Sequence, residues 1–338
     1  MGSELLIEVE QLSRHFSSSQ SSDSLGYTTA VDDISFNLKR GEILGFLGPN
    51  GAGKSTTMKM LTGNLSPSHG SIKIAGIDLM DNPIEAKAMI GYLPDTPPLY
   101  KELSVDEYLS YCARLNRITK PKLQQAINTT KERCGLVDYG KRIINNLSKG
   151  YQQRVGIAQA IIHAPDIVIL DEPTVGLDPI QMIAIRKLIK ELGESHSVML
   201  SSHILPEIQM VCDNVQIINQ GRLVFNASIE QLNQQMQTYS IRMSCQKPID
   251  LQLISDLAEV ESVHLVDNND NSIMVNCSQS DTTQEQDPFI RLSQQLIAIA
   301  EQDQLGLYEI YPKKQSLEDV FMSLTLDNSV EQVGGNTH

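Results

Sequence analysis

The feature that most constrains this chain is a run of nine residues: Gly48, Pro49, Asn50, Gly51, Ala52, Gly53, Lys54, Ser55 and Thr56. It follows a short apolar stretch, Glu42 to Leu47, and precedes a helix-like stretch beginning Thr57, Met58, Lys59, Met60 and Leu61. The spacing G-x-x-x-x-G-K-S between a strand and a helix is that of a phosphate-cradling loop. Its glycines let backbone N–H groups turn inward onto phosphate oxygens, and the helix N-terminus adds positive potential. Lys54 is placed to bridge the β- and γ-phosphates, and Ser55 to ligate magnesium.

A second strand end complements the first. Ile167, Val168, Ile169 and Leu170 run directly into Asp171 and Glu172, which delivers two carboxylates to the carboxyl edge of the sheet, where nucleotides sit. Asp171 is expected to hold magnesium, directly or through water. Glu172 is expected to orient or deprotonate an attacking water, which needs a carboxylate near the metal but not on it.

The rest of the composition narrows the setting. The 338 residues suffice for about two domains, and 41% hydrophobic with 20% charged residues is an ordinary globular mix. A formal charge of −14 argues against a nucleic-acid partner. Cys112, Cys134, Cys212, Cys245 and Cys277 contain no C-x-x-C pair, so neither a zinc knuckle nor a redox dithiol is expected, and reduced thiols fit a cytosolic protein. The first ten residues carry Glu4, Glu8 and Glu10 where a signal peptide would be basic, so none is expected. No apolar window reaches the ~20 residues needed to span a bilayer.

Charge is uneven along the chain: residues 1–220 carry 21 basic and 24 acidic side chains, residues 221–338 carry 6 and 17. That shift, with the change in periodicity, predicts a domain of residues 1–225 and a smaller one of residues 226–338. In the first, short non-alternating apolar runs separated by helical patterns predict a doubly wound α/β fold. One such helix follows Pro179 and carries Ile185, Ile189 and Leu192 on one stripe. The region of about residues 96–155 reads as a helical insertion, with Tyr108, Tyr111, Leu115, Leu123 and Ile127 spaced for burial. In the second domain the predicted order is strand 239–243, helix 251–257, strands 260–266 and 273–276, helix 289–300, strand 307–311 and helix 317–324. Up to its last helix this β-α-β-β-α-β order is compatible with a small ferredoxin-like α+β domain. The Ser-rich stretch 17–26 reads as an exposed loop and 267–271 as a turn.

Leu147, Ser148, Lys149, Gly150, Tyr151, Gln152, Gln153 and Arg154 lie between the two phosphate-site segments, about 20 residues before Asp171, Glu172, Pro173 and Thr174. This resembles the signature motif of ABC-type (ATP-binding cassette) ATPases, P-loop proteins with a helical subdomain. The likeness continues through Gly176, Leu177, Asp178 and Pro179, similar to the family's D-loop, and Ser201, Ser202 and His203, similar to its switch histidine. It covers about residues 4–225. It implies ATP and Mg2+ as cofactors, with ATP bound by Gly48 to Thr56 of one subunit and capped by Ser148, Lys149 and Gly150 of a second. His203 would join Glu172 as a catalytic residue on the γ-phosphate, and Asp178 would couple the two sites across the dimer. Phe16 would stack on adenine, with Tyr27 a competitor for that role.

Two departures refine the resemblance. Where the family usually has Gln, this chain has Asp95, implied to reach the metal with Ser55 and Asp171, through a bridging water. Lys149 and Tyr151 stand where many members have Gly and Gln. Both variants resemble the exporter branch related to ABC-2 type systems, including gliding-motility cassettes, and the segment from Tyr311 to Phe321 resembles the end of the accessory domain those cassettes carry. The implied protein is the ATPase subunit of an exporter, peripheral on the cytoplasmic face through a transmembrane permease, working with a second ATPase subunit, most simply another copy. A soluble ABC ATPase acting on a non-membrane complex is the alternative.

Replacing Lys54 by Ala removes the phosphate counter-charge and is expected to weaken nucleotide binding by about tenfold or more. Titration with a fluorescent ATP analogue measures it, and unaltered affinity would contradict the phosphate-loop reading.

Overall fold

The computed structural model describes residues 4–17, 27–235, 239–257, 259–266, 271–277 and 288–314. The Ser-rich stretch beyond Ser17, residues 267–270 of the expected turn, the expected helix 317–324 and the tail motif beyond Lys314 lie outside the described residues. The chain divides into two compact units between Ile229 and Glu230.

The first unit is built on a six-stranded sheet. Its strands are β3 (Ile43–Leu47), β6 (Ile90–Leu93), β7 (Ile167–Asp171), β8 (Ser197–Ser202), β9 (Asn214–Asn219) and β10 (Arg222–Ser228), in the order β10-β9-β3-β8-β7-β6. All neighbours are parallel except β10, which pairs antiparallel with β9. Every residue of β3, β7 and β8 is buried, as continuous apolar runs in a parallel sheet require. Helix α6 (Pro179–Gly193) buries Ile185, Ile189 and Leu192 as the periodicity predicts, with Leu188 beside them.

A second sheet adds a layer that the doubly wound reading does not contain. Strands β1 (Leu5–Ser17), β2 (Tyr27–Lys39), β4 (His69–Ile74) and β5 (Ile77–Asp78) form an antiparallel sheet ordered β2-β1-β4-β5. One face of it supplies Leu6, Leu12, Ile34, Phe36, Leu38 and Ile72 to a core shared with Phe46 of β3, Ile169 of β7 and Met58 and Leu61 of α1 (Lys54–Leu61). Helix α1 is thereby held where the phosphate loop ends. The short helix α2 (Pro83–Ala88) leads into β6.

The helical subdomain comprises α3 (Val105–Leu115), α4 (Lys120–Cys134) and α5 (Lys149–Ile161). Ser104 and Glu107 close a reciprocal capping box at the start of α3, and Gly135, at φ +65°, ends α4. The expected stripe is displaced. Tyr108 and Ile127 are buried, but Tyr111 and Leu115 are 41% and 63% exposed and Leu123 is half-buried. The buried face of α3 is Val105, Tyr108, Leu109, Cys112 and Ala113, a set at three- and four-residue spacing; Tyr111 and Leu115 flank it, three residues beyond Tyr108 and Cys112, and stay open to solvent. Helix α7 (Leu205–Val211) completes the unit, and α8 (Ile229–Gln235) spans the division.

The second unit is an α+β domain with the elements β11 (Tyr239–Cys245), α9 (Leu251–Ser255), β12 (Val260–Leu265), β13 (Ser272–Cys277), α10 (Pro288–Gln302) and β14 (Leu307–Lys314). Its sheet runs β12-β13-β11-β14, all antiparallel. Ile241, Met243, Ile273 and Val275 pack against Ile254, Leu292 and Leu296 of the helices. No helix among the described residues is long and apolar enough to cross a membrane. All five cysteines are free and buried.

Helix α5 crosses the sheet closely at Gly91 of β6, where an added Cβ would lie 2.1 Å from the Ala160 carbonyl oxygen. Gly91→Ala is expected to cost about 1–3 kcal/mol by overpacking, read as a lower thermal midpoint. An unshifted midpoint would mean this contact yields.

Candidate functional site

Strand β3 ends at Leu47 and the loop that follows doubles back to begin α1. Two of its glycines take the left-handed conformation, Gly51 at φ +83° and Gly53 at φ +109°. A Cβ at Gly53 would also meet the Ala30 carbonyl oxygen at 2.5 Å, so only glycine fits there. No side chain caps α1, and its first amides remain free for an anion.

Lys54 is 5% exposed. Its Nζ donates to the carbonyl oxygens of Gly48 (2.8 Å) and Pro49 (3.2 Å) and pairs with Glu172 Oε1 at 3.2 Å. A buried ammonium needs such partners; held here, it is in place for a phosphate.

Because β7 and β8 are in register, Asp171 lies opposite Ser201. Asp171 Oδ1 accepts from Ser201 Oγ (2.6 Å) and from Ser55 Oγ (3.2 Å), and Ser201 Oγ also accepts from the Glu172 N–H (2.9 Å). Burial pushes the Asp171 carboxyl above its ordinary range; the two hydroxyls pull it down, while the charges of Asp95 and Glu172 raise it. Burial likewise raises the Tyr92 phenol, with Asp171 and Asp95 adding to the effect. Glu172 sits at φ +49°, in the left-handed region, and its Oε2 lies 2.9 Å from His203 Nδ1. With Glu172 a carboxylate, Nδ1 donates the proton and Nε2 is left free to face a ligand.

These groups border a cavity of about 440 Å³ lined by Ala30, Asn50, Gly51, Gly53, Lys54, Ser55, Thr56, Asp95, Glu172, Val175 and His203. Nine of those eleven were legible as site residues. Gly48, Pro49 and Ala52 lie behind the loop instead, where Gly48 and Pro49 present carbonyls to Lys54, and Ala52 is buried. Asp171 is one hydrogen bond away, through Ser55.

Other expected residues lie elsewhere. Ser148 caps α5, accepting from the Tyr151 N–H. Lys149 is exposed and Gly150 is buried against Gln181, where a Cβ would meet the side chain at 2.8 Å. Asp178 caps α6 by accepting from the N–H of that same Gln181 (2.8 Å). Within one chain, then, Ser148 to Gly150 and Asp178 share a corner and none of them lines the cavity. Phe16 is 40% exposed, across β1–β2 from Thr28, with the Arg14 guanidinium 4.7 Å from its ring centre. Tyr27 lies one pair further along, opposite Ser17. Sequence reasoning missed Ala30, which abuts the loop at Gly53 from β2, and Val175, which lies in the turn just after Glu172 between two motifs.

The cavity suits a phosphate chain with a cation: an ammonium and free helix amides for the phosphates, and the Ser55 hydroxyl beside the Asp171 carboxylate for a hard metal. No group of three or more His, Cys, Asp or Glu side chains among the described residues could hold a metal by itself. The remaining oxygens would come from phosphates and water, as magnesium sites of this kind have them.

A parallel sheet with a phosphate loop at its carboxyl edge and a carboxylate-histidine pair across the cavity defines a nucleotide-hydrolysing fold of the P-loop class. Residues 31–175 match the ABC transporter family. The chain is 32% identical over 307 residues, 90% of its own length and 93% of the other's, to the uncharacterized ABC transporter ATP-binding protein YhcH of Bacillus subtilis. It is 39% identical over 216 residues, 63% of this chain and 70% of the other, to the bacitracin transport ATP-binding protein BcrA of Bacillus licheniformis. A solved structure of the ATP-binding subunit of an ABC transporter superposes with a TM-score of 0.58 at 30% identity, covering 68% of this chain and 92% of that one. The chain belongs to the ATP-binding proteins of ABC transporters, and is an ATPase.

Asp95→Gln removes one of the carboxylates bordering the cavity. It is expected to raise the magnesium concentration needed for half-maximal nucleotide binding by about fivefold, the size of a ~1 kcal/mol contact. A titration that overlays the unsubstituted chain would reduce Asp95 to a loop acid.

Proposed function

We propose that this chain is the energising subunit of an ABC-2 type exporter: two copies close on ATP, reopen on hydrolysis, and drive a separate transmembrane permease from the cytoplasmic face. The observation that carries the reading is the separation of the two half-sites. Asn50, Gly51 and Gly53 to Thr56 line one cavity, while Ser148, Lys149 and Gly150 form the start of α5 outside it. A second chain whose α5 N-terminus faces this cavity would complete the phosphate site, with Asp178 beside the seam. Val175, Ile180 and Ile183 near Asp178 are exposed at 48%, 81% and 63%, and an apolar surface of that kind suits a closing interface.

The bound metal would supply neutralising charge to the phosphate oxygens, held by Ser55 and Asp171 with Asp95 reaching it through water. Lys54 would turn from Glu172 to the β- and γ-phosphates. Glu172, so released, takes a proton from the attacking water, while His203 Nδ1 keeps its carboxylate oriented and Nε2 faces the γ-phosphate. Phe16, or Tyr27, would carry the adenine.

Support for a permease comes from the helical subdomain. Tyr100, Tyr111 and Leu115 are exposed at 46%, 41% and 63%, and the Tyr100 and Tyr111 rings lie 5.3 Å apart. Transport is supported by the likeness to the bacitracin transport protein, and the YhcH match extends into the second unit; for export the support is the resemblance of Asp95, Lys149 and Tyr151 to the exporter branch.

Glu172→Gln keeps the phosphate and metal ligands but loses the base, and turnover is expected to fall by about 100-fold or more with ATP still bound. Purified from gently solubilised membranes with ATP, this variant should form a dimer and carry a multi-span protein. Ribosomal or DNA-repair proteins in its place, with no membrane protein, would keep the ATPase and overturn transport.

A further inference from the structure

Glu207 belongs to no motif read from the sequence, yet it is 2% exposed and paired on both carboxylate oxygens. It stands on α7. Its Oε2 accepts from Thr174 Oγ1 (2.5 Å) and Ser202 Oγ (3.1 Å), and its Oε1 pairs with an Arg186 guanidinium N–H of α6 at 3.2 Å. Thr174 and Ser202 are themselves 5% and 0% exposed.

Each hydroxyl governs one member of the Glu172–His203 pair. Ser202 Oγ also accepts from the Ile204 N–H (3.0 Å), so the residues on both sides of His203 are tied to one oxygen. Thr174 lies in the turn after Glu172, closed by Val175 N–H to the Glu172 carbonyl (3.2 Å) and Leu177 N–H to the Thr174 carbonyl (3.3 Å). Glu172 holds a left-handed backbone that a non-glycine residue keeps only under external restraint. One restraint is the Ser201 hydroxyl on the Glu172 N–H; the Glu207 carboxylate, acting through Thr174, is the other.

We infer that Glu207 is a positioning residue for hydrolysis. Its buried carboxylate ties the end of β8 to the turn after β7, and so sets Glu172 against His203, while Arg186 extends the link to the helix that Asp178 caps. This inference rests on the assignment of Glu172 and His203 to the chemistry. Glu207 touches neither the cavity nor any group placed on ATP, so its loss acts on geometry and not on binding.

The test is steady-state ATP hydrolysis and ATP-analogue binding by the full chain carrying Glu207→Gln, Thr174→Val, Ser202→Ala or, as the hydroxyl-retaining control, Thr174→Ser. The amide presents N–H where a hydroxyl proton now points. For Glu207→Gln we expect kcat to fall at least tenfold with KM and analogue affinity within twofold. Thr174→Val and Ser202→Ala should each lower kcat about three- to tenfold. Together they should do no worse than Glu207→Gln, because the three groups act as one network, and Thr174→Ser should restore most of the turnover. A kcat within twofold of the unsubstituted chain for Glu207→Gln, or a loss expressed in KM, would overturn the inference. Should Glu207→Gln not fold, Thr174→Val and Ser202→Ala decide by the same criteria. Glu172→Gln in the same assay separates the two levels: full turnover there removes the assignment itself, whereas its loss beside an unaffected Glu207→Gln removes only the role of Glu207.

Discussion

Three strands with no exposed residue, β3, β8 and β7, lie side by side in parallel, and the polar groups of the cavity sit where they end. Parallel pairing puts all three carboxyl ends on one edge. The phosphate loop leaves one of them, Asp171 and Glu172 terminate another, and Ser201 to His203 terminate the third. A slip of one residue in the β7–β8 register would turn Ser201 away from Asp171. The apolar filling of these strands is therefore also what sets the geometry of the charged groups beyond them.

Those charged groups are held at low solvent exposure, where an unmatched charge is expensive. Lys54 answers this with two backbone carbonyls and Glu172; Asp171 answers it with two hydroxyls, and its carboxyl is still pushed upward by burial. The pocket thus brings one ammonium together with Asp95, Asp171 and Glu172. Such a site favours a phosphate chain that arrives with a cation over a bare polyanion. The antiparallel sheet serves the same end, because Ala30 of β2 abuts Gly53 and fixes the start of α1.

Residues joined by short sequence spacing were the legible ones. The loop Gly48–Thr56 and the carboxylates after Ile167–Leu170 declare their chemistry by what precedes them, His203 by its resemblance to a family motif, and eight of these residues do meet at one cavity. The β-α-β-β-α-β order of the second unit was legible for the same reason, since period-2 and period-3.6 patterns alternate there. The stripe on α3 was not. Tyr111 and Leu115 are apolar at helical spacing and border the face of Val105, Leu109 and Cys112 yet stay exposed, and only the neighbours of a helix determine where along an apolar stripe the cover ends. The antiparallel sheet escaped notice because β1 and β2 are long, irregular strands with several register shifts, which blur the alternation.

By itself the sequence pointed to the phosphate loop, the two carboxylates, the helical insertion and the element order of the second domain, because each follows from local spacing and periodicity, and to the histidine through its resemblance to a family motif. Tertiary structure alone decided that Lys54 is paired with Glu172, that Ser201 holds both Asp171 and the Glu172 amide, and that Glu207 joins Thr174 to Ser202. It also decided that the signature residues lie outside the cavity of their own chain. Those outcomes depend on strand register and on which helix covers which strand end, and pairings between residues 30 or 100 positions apart leave no trace in local pattern.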